Sequence, residues 1–150
     1  MDNSELPYAY ELPYWRTSKT APDVWIDKTV RLLENLGATV TGDGYAGSSG
    51  VSVFVIVFKF GNEVFRVTWP VLRVRDPAES FAARVQAATF MYHDCKAKAL
   101  AAKVIGFRTA FIGQLMLPEG KTVSESSHTA LLHHVRPLAL LGVQDADETE

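Results

Sequence analysis

The side chains in this 150-residue chain best suited to chemistry are His93, Asp94 and Cys95, with His128, His133 and His134 nearer the C-terminus. A thiol and an imidazole work as nucleophile and base only when they share a hydrogen bond. His93 and Cys95 stand two residues apart in a segment that reads as helix, so they point in different directions. Cys95 therefore reads as a small buried hydrophobe. His133 and His134 are adjacent, which on a helix separates them by about 100°, and His93 has no second ligand at a metal-binding spacing. No phosphate-binding loop, dinucleotide glycine pattern, zincin motif or nucleophile elbow is present. Gly42-Asp-Gly44 and Gly47-Ser-Ser-Gly50 lie near a strand but open no helix, so neither cradles a phosphate. The expectation is a non-enzymatic protein with no catalytic residue, metal site or cofactor.

Binding chemistry is better represented. Lys59, Arg66, Arg73 and Arg75 are interleaved with aromatic residues on a strand-like stretch, with Trp69 just ahead of Pro70. Single-strand binders use that combination, rings stacking on bases while cations follow phosphates. A second group, Tyr8, Tyr10, Tyr14 and Trp15, crowds four aromatic rings into eight residues. Tyr8 and Tyr14 close the two copies of a repeat, Glu5-Leu-Pro-Tyr8 and Glu11-Leu-Pro-Tyr14, whose prolines favour extended backbone. Rings of this kind recur at protein interfaces. Charge is segregated as well: residues 15–110 hold 13 Lys/Arg against 8 Asp/Glu, while both ends are acidic. A basic body suits a polyanion, for which an acidic tail would compete.

The elements that must position these groups follow from periodicity and punctuation. Residues 1–19 read as an extended arm lying on the body of its own or a neighbouring subunit, 20–142 as one domain, and 143–150 as an acidic disordered tail. A first helix over 21–36 starts from a Thr20/Asp23 capping pattern with Pro22 in its first turn, and Gly37 ends it. Its apolar stripe is Trp25, Ile26, Val30, Leu33 and Leu36. Residues 38–75 read as a three-stranded antiparallel meander: a strand near 38–45, a flexible loop at 46–50, then strands 51–60 and 63–72. Gly61-Asn62 is a two-residue hairpin turn, which sets Phe60 opposite Glu63, Phe58 opposite Phe65, Ile56 opposite Val67 and Phe54 opposite Trp69.

With side chains alternating, that register places Phe54, Ile56, Phe58, Phe60, Phe65, Val67, Trp69 and Val71 on one face. Val51, Val53, Val55, Val57, Val64 and Leu72 fall on the other, among Lys59, Arg66 and Thr68. Both faces want cover, which points to the arm, a second subunit or a ligand as a shield. Asp76-Pro77 opens a long helix that stops at Gly106. Its stripe of Phe81, Val85, Ala88, Tyr92, Cys95, Ala99 and Ala102 faces the sheet, and Arg84, Lys96, Lys98 and Lys103 form a basic outer side. Residues 108–117 are open between helix and strand, with helix favoured. A turn at Pro118–Gly120 precedes a last helix capped by Thr122 and Glu125 and ended or kinked at Pro137. The fold class is α+β.

Ala82-Ala-Arg-Val-Gln-Ala-Ala88, Lys96-Ala-Lys98 and the run from Phe111 through Leu117-Pro-Glu-Gly-Lys-Thr-Val-Ser-Glu125 resemble a broad group of uncharacterised bacteriophage, prophage and plasmid proteins. In that group an alanine-rich helix precedes an LPxGxTVxE segment. The likeness spans about residues 63–125, and the LPxGxTVxE run is its most specific part. Thr109-Ala-Phe-Ile-Gly113 replaces an acidic stretch, and Ser126 stands where a Trp often follows the final Glu. The resemblance implies an accessory role in a mobile element and brings no activity with it.

One cysteine excludes a disulfide framework. No apolar run approaches the roughly 20 residues of a membrane span, and the opening MDNSELPYAY lacks a signal-peptide pattern. A cytoplasmic protein, in a host cell, is expected, with a homodimer as its assembly. The leading expectation is single-stranded nucleic-acid binding by Lys59, Arg66, Trp69, Arg73 and Arg75. The alternative is a protein-binding module, an inhibitor or adaptor of a host or defence protein, that uses the apolar sheet face and the Tyr8/Tyr10/Tyr14/Trp15 arm.

Overall fold

The computed structural model describes residues 5–48 and 50–127. After the N-terminal arm come α1 (Pro22–Asn35), β1 (Thr39–Ser48), β2 (Val51–Phe60), β3 (Glu63–Pro70), α2 (Ser80–Ile105) and α3 (Phe107–Ala110). The three strands form one antiparallel sheet in the order β1-β2-β3. Both helices lie on the same face, α1 toward β1 and α2 toward β3. This is an α+β fold: a meander packed with one long helix and shorter ones.

The β2–β3 register is the one the Gly61-Asn62 turn dictates, with Phe58 opposite Phe65, Ile56 opposite Val67 and Phe54 opposite Trp69. Gly61 adopts φ 63°, a left-handed backbone that an L-residue with a Cβ resists. Phe54, Ile56, Phe58, Phe65 and Val67 are buried under the helices. Phe58 stacks on Phe65 at 5.5 Å between centroids, and Phe107 and Phe111 meet Phe58 edge-on at 5.9 and 5.7 Å. Small residues of α2, namely Ala87, Ala88 and Cys95, close the core from above. On the opposite face Val53, Val55 and Val57 are half-buried.

Several elements depart from the sequence-based reading. The stretch at 46–48 is strand, not loop: Ala46, Gly47 and Ser48 pair with Val53, Ser52 and Val51, and a bulge between Val40 and Gly42 shifts the register. Small residues lack the side chains that announce a strand, and pairing along β2 supplies the missing drive. Thr20 caps nothing; Ala21 is the N-cap of α1 and Pro22 its first residue. Asp76 caps a short 3₁₀ turn at Pro77–Glu79 by accepting from the Ala78 N–H at 3.0 Å, and α2 begins only at Ser80. Phe81 belongs to no buried stripe, being 51% exposed.

The ambiguous segment 108–117 divides. Its first part continues α3 and a 3₁₀ turn at Ile112–Gln114, and then Leu115 pairs antiparallel with Phe65 at the edge of β3. The Met116 N–H donates to the Val64 carbonyl at 2.8 Å. The LPxGxT run that follows is a tight reversal: the Gly120 N–H donates to the Leu117 carbonyl with Gly120 at φ 86°. The Glu125 N–H then donates to Thr122 Oγ1 at 3.2 Å, capping a helix over 123–127. Pro137, His128, His133, His134 and the acidic tail lie outside the described residues. No helix among those described is long and apolar enough to cross a membrane.

Candidate functional site

The arm is a docked, irregular strap, not an extended strand. Leu6 and Ala9 are buried in a small second core with Val51, Leu72 and Ala83. A 3₁₀ turn at Ala9–Glu11 is closed by the Tyr8 N–H donating to the Glu11 carboxylate at 2.8 Å. The Ala9 N–H donates to the Arg73 carbonyl at 2.8 Å, giving a parallel bridge between Tyr8 and Arg73. The main fastening comes from α2. Gln86, fully buried, donates its amide N–H groups to the carbonyls of Ala9 at 2.8 Å and Pro13 at 2.9 Å, with Leu12 at 3.4 Å. Three carbonyls that a strand would have satisfied are thus held by one side chain.

This docking unites two groups of residues that the sequence kept apart. The Arg73 guanidinium lies 4.2 Å from the Tyr8 ring centroid and that of Arg75 lies 3.9 Å from Tyr10. The two tyrosines stack on each other at 5.7 Å. Farther along, Tyr14 stacks on His93 at 5.1 Å and meets Phe90 edge-on at 5.3 Å, and Phe90 stacks on Trp69 at 5.8 Å. Trp15 is half-buried against the small core, with the Arg16 guanidinium 5.2 Å from its ring. Tyr14 and Arg16 sit at φ 65° and 55°, a left-handed conformation costing roughly 1–2 kcal/mol per non-glycine residue. Docking of the rings and the Arg16–Glu79 pair, 3.2 Å apart, holds the strap there.

The hairpin site expected for nucleic acid is distributed over three places. Lys59 is exposed on the valine face. Arg66 shares that face, but its Nη2 donates to both oxygens of Glu125 at 2.6 and 2.8 Å, which neutralises it locally. Trp69 lies on the opposite, helix-bearing face beneath Phe90. Arg73 and Arg75 lie beyond the strand, under the arm's tyrosines. The link between Arg66 and Glu125 spans 59 positions, a distance at which no local pattern signals a pair. Gln86 was missed as well, although a lone amide in the alanine-rich run Ala82–Ala88 is a signal of buried polar work.

Cys95 is buried, and its thiol is pushed up from 9.0 to about 12, first by burial and then by the Asp94 carboxylate, with Lys98 opposing. Asp94 is itself paired to Lys98 Nζ at 2.6 Å. A thiol so protonated at neutral pH is a poor nucleophile. Among the described residues, no three His, Cys, Asp or Glu side chains are grouped to hold a metal. No protein-family model, curated protein or solved structure matches this chain.

Proposed function

We propose that this protein is a non-enzymatic binding module that presents the outer edge of its N-terminal arm to a protein partner. One observation carries the reading: Tyr10, Leu12 and Tyr14 are exposed on a backbone whose carbonyls are pinned from beneath by Gln86. Large side chains held in place before binding contribute affinity with little ordering cost. The phage-like resemblance of residues 63–125 supports an accessory role in a mobile element, acting on a host or defence protein in the host cytoplasm. The test is affinity capture from host lysate with the full chain and a Tyr10→Ala/Leu12→Ala/Tyr14→Ala variant. A partner held at raised salt by the wild type and lost by the variant is the expected result. Equal capture by both removes the arm as the interface.

A second reading, single-stranded nucleic-acid binding, is favoured by the Tyr8/Tyr10 stack on Arg73 and Arg75. It moves the site from the hairpin to the arm. Binding of a labelled 30-mer single strand that falls steeply with salt and is lost in Arg73→Ala/Arg75→Ala would support it. No binding at low salt, where electrostatics are strongest, would dismiss it.

A further inference from the structure

The two ends of α2 carry surfaces of opposite character. At the N-terminal end, a groove of about 380 Å³ opens between the starts of α1 and α2 and the edge strand β1. The rings of Tyr45, Phe54 and Phe81 line it together with the carboxylates of Asp23, Asp27 and Asp43. Phe81 and Tyr45 are about half exposed although large and apolar. The three acids make no ion pair among the described residues. A single cation, Arg84, lines the groove, its guanidinium 5.5 Å from the Phe81 ring centroid, so a ring of this groove already receives a guanidinium.

At the C-terminal end the same helix bares Leu100, Val104 and Ile105, with Val104 85% exposed. Lys96 and Lys103, both exposed, flank them, and neither pairs with an acid among the described residues. Leu100 and Val104 are four residues apart and so share one helical face. An unpaired apolar cluster of this kind on a helix marks an interaction surface. Its basic rim complements the acidic rim of the groove, and its aliphatic side chains match the groove's rings. From Phe81 to Val104 the helix rises about 35 Å, so one molecule cannot join its own two ends.

We infer that the C-terminal end of α2 docks in the acidic aromatic groove of a second copy of this chain. The contact is heterologous, since the two surfaces differ, and it therefore propagates head to tail into a ring or a chain. The sequence expectation of a homodimer leaves its symmetry open, and this contact makes the assembly head to tail.

Sedimentation velocity of the full chain over a range of concentrations tests this with two variants at exposed positions, Val104→Glu and Asp27→Lys. The first puts a carboxylate on the docking end and leaves the groove intact; the second spoils the groove and leaves the docking end intact. The wild type is expected to grow in mass with concentration, and each variant alone to lose association by tenfold or more. Mixed, the two variants retain one good end and one good groove between them, so they form a 1:1 pair and nothing larger. Circular dichroism confirms that both are folded. A wild type that stays monomeric, variants that associate as it does, or a mixture that stays monomeric would each overturn the inference.

Discussion

Replacing Gln86 by methionine removes the arm's fastening while keeping nearly the same length and volume. The side chain is fully buried and its amide makes two close bonds, to Ala9 at 2.8 Å and Pro13 at 2.9 Å. Gln86 Oε1 is buried with no partner among the described residues, so the change takes away donors without orphaning a group that Oε1 had satisfied. At about 1 kcal/mol net per hydrogen bond, the two close bonds are worth about 2 kcal/mol, and the 3.4 Å contact to Leu12 adds little. The loss falls on local opening of the arm, because the hydrogen-bond partners of Gln86 all lie in the arm, at Ala9, Leu12 and Pro13. Hydrogen exchange at the Ala9 N–H, bonded to the Arg73 carbonyl at 2.8 Å, reads that opening directly. With tenfold per 1.4 kcal/mol, exchange there should quicken about 30-fold in Gln86→Met, while amides of β2 change little. An unchanged Ala9 exchange rate would refute the claim that Gln86 holds the arm.

Other consequences are equally specific. Phe58→Ala removes a fully buried ring from the aromatic cluster and should destabilise by about 3–5 kcal/mol in urea denaturation; a loss under 1 kcal/mol would show that the cluster is loosely packed. Gly61→Val forces a β-branched residue into φ 63° and should lower the melting temperature measurably, whereas Asn62→Asp beside it should not. Cys95 predicts a pH effect: burial pushes the folded thiol up from its ordinary 9.0 to about 12. The stability that this raised value contributes is complete below about pH 9 and is lost as pH rises toward 12. The full displacement corresponds to about 4 kcal/mol, and Cys95→Ala should flatten the alkaline limb of the stability curve. A variant with the same alkaline limb as the wild type would rule out Cys95 as its cause.

Much of the fold was legible because its signals are local. Gly61-Asn62 announces a turn, and period-two alternation on either side leaves one register that buries the phenylalanines. Gly37 and Gly106 end α1 and α2, both in left-handed backbone. Legibility failed where the deciding contact is distant or the residues are small. Ala46–Ser48 became strand by pairing with Val51–Val53, and Arg66 met Glu125 across 59 positions. The candidate site shows the same division. The four arm aromatics stood out by density alone, and the expectation that the arm lies on the body agrees with the buried Leu6 and Ala9. What composition could not show is that Tyr8 and Tyr10 lie on Arg73 and Arg75, which joins residues first assigned to two different partners. Pleat parity already placed Trp69 with Phe54 and Ile56, opposite Lys59 and Arg66. A site needing all three on one surface conflicted with that register from the outset.

The most direct test of the proposed role is quantitative affinity capture by the wild-type chain and the Tyr10/Leu12/Tyr14 alanine variant, each at low and raised salt, with nuclease-treated lysate. The account predicts a defined protein partner that the wild type retains at raised salt and the variant loses. Capture of the same partner by both chains, or binding that vanishes with nuclease or salt, would contradict it.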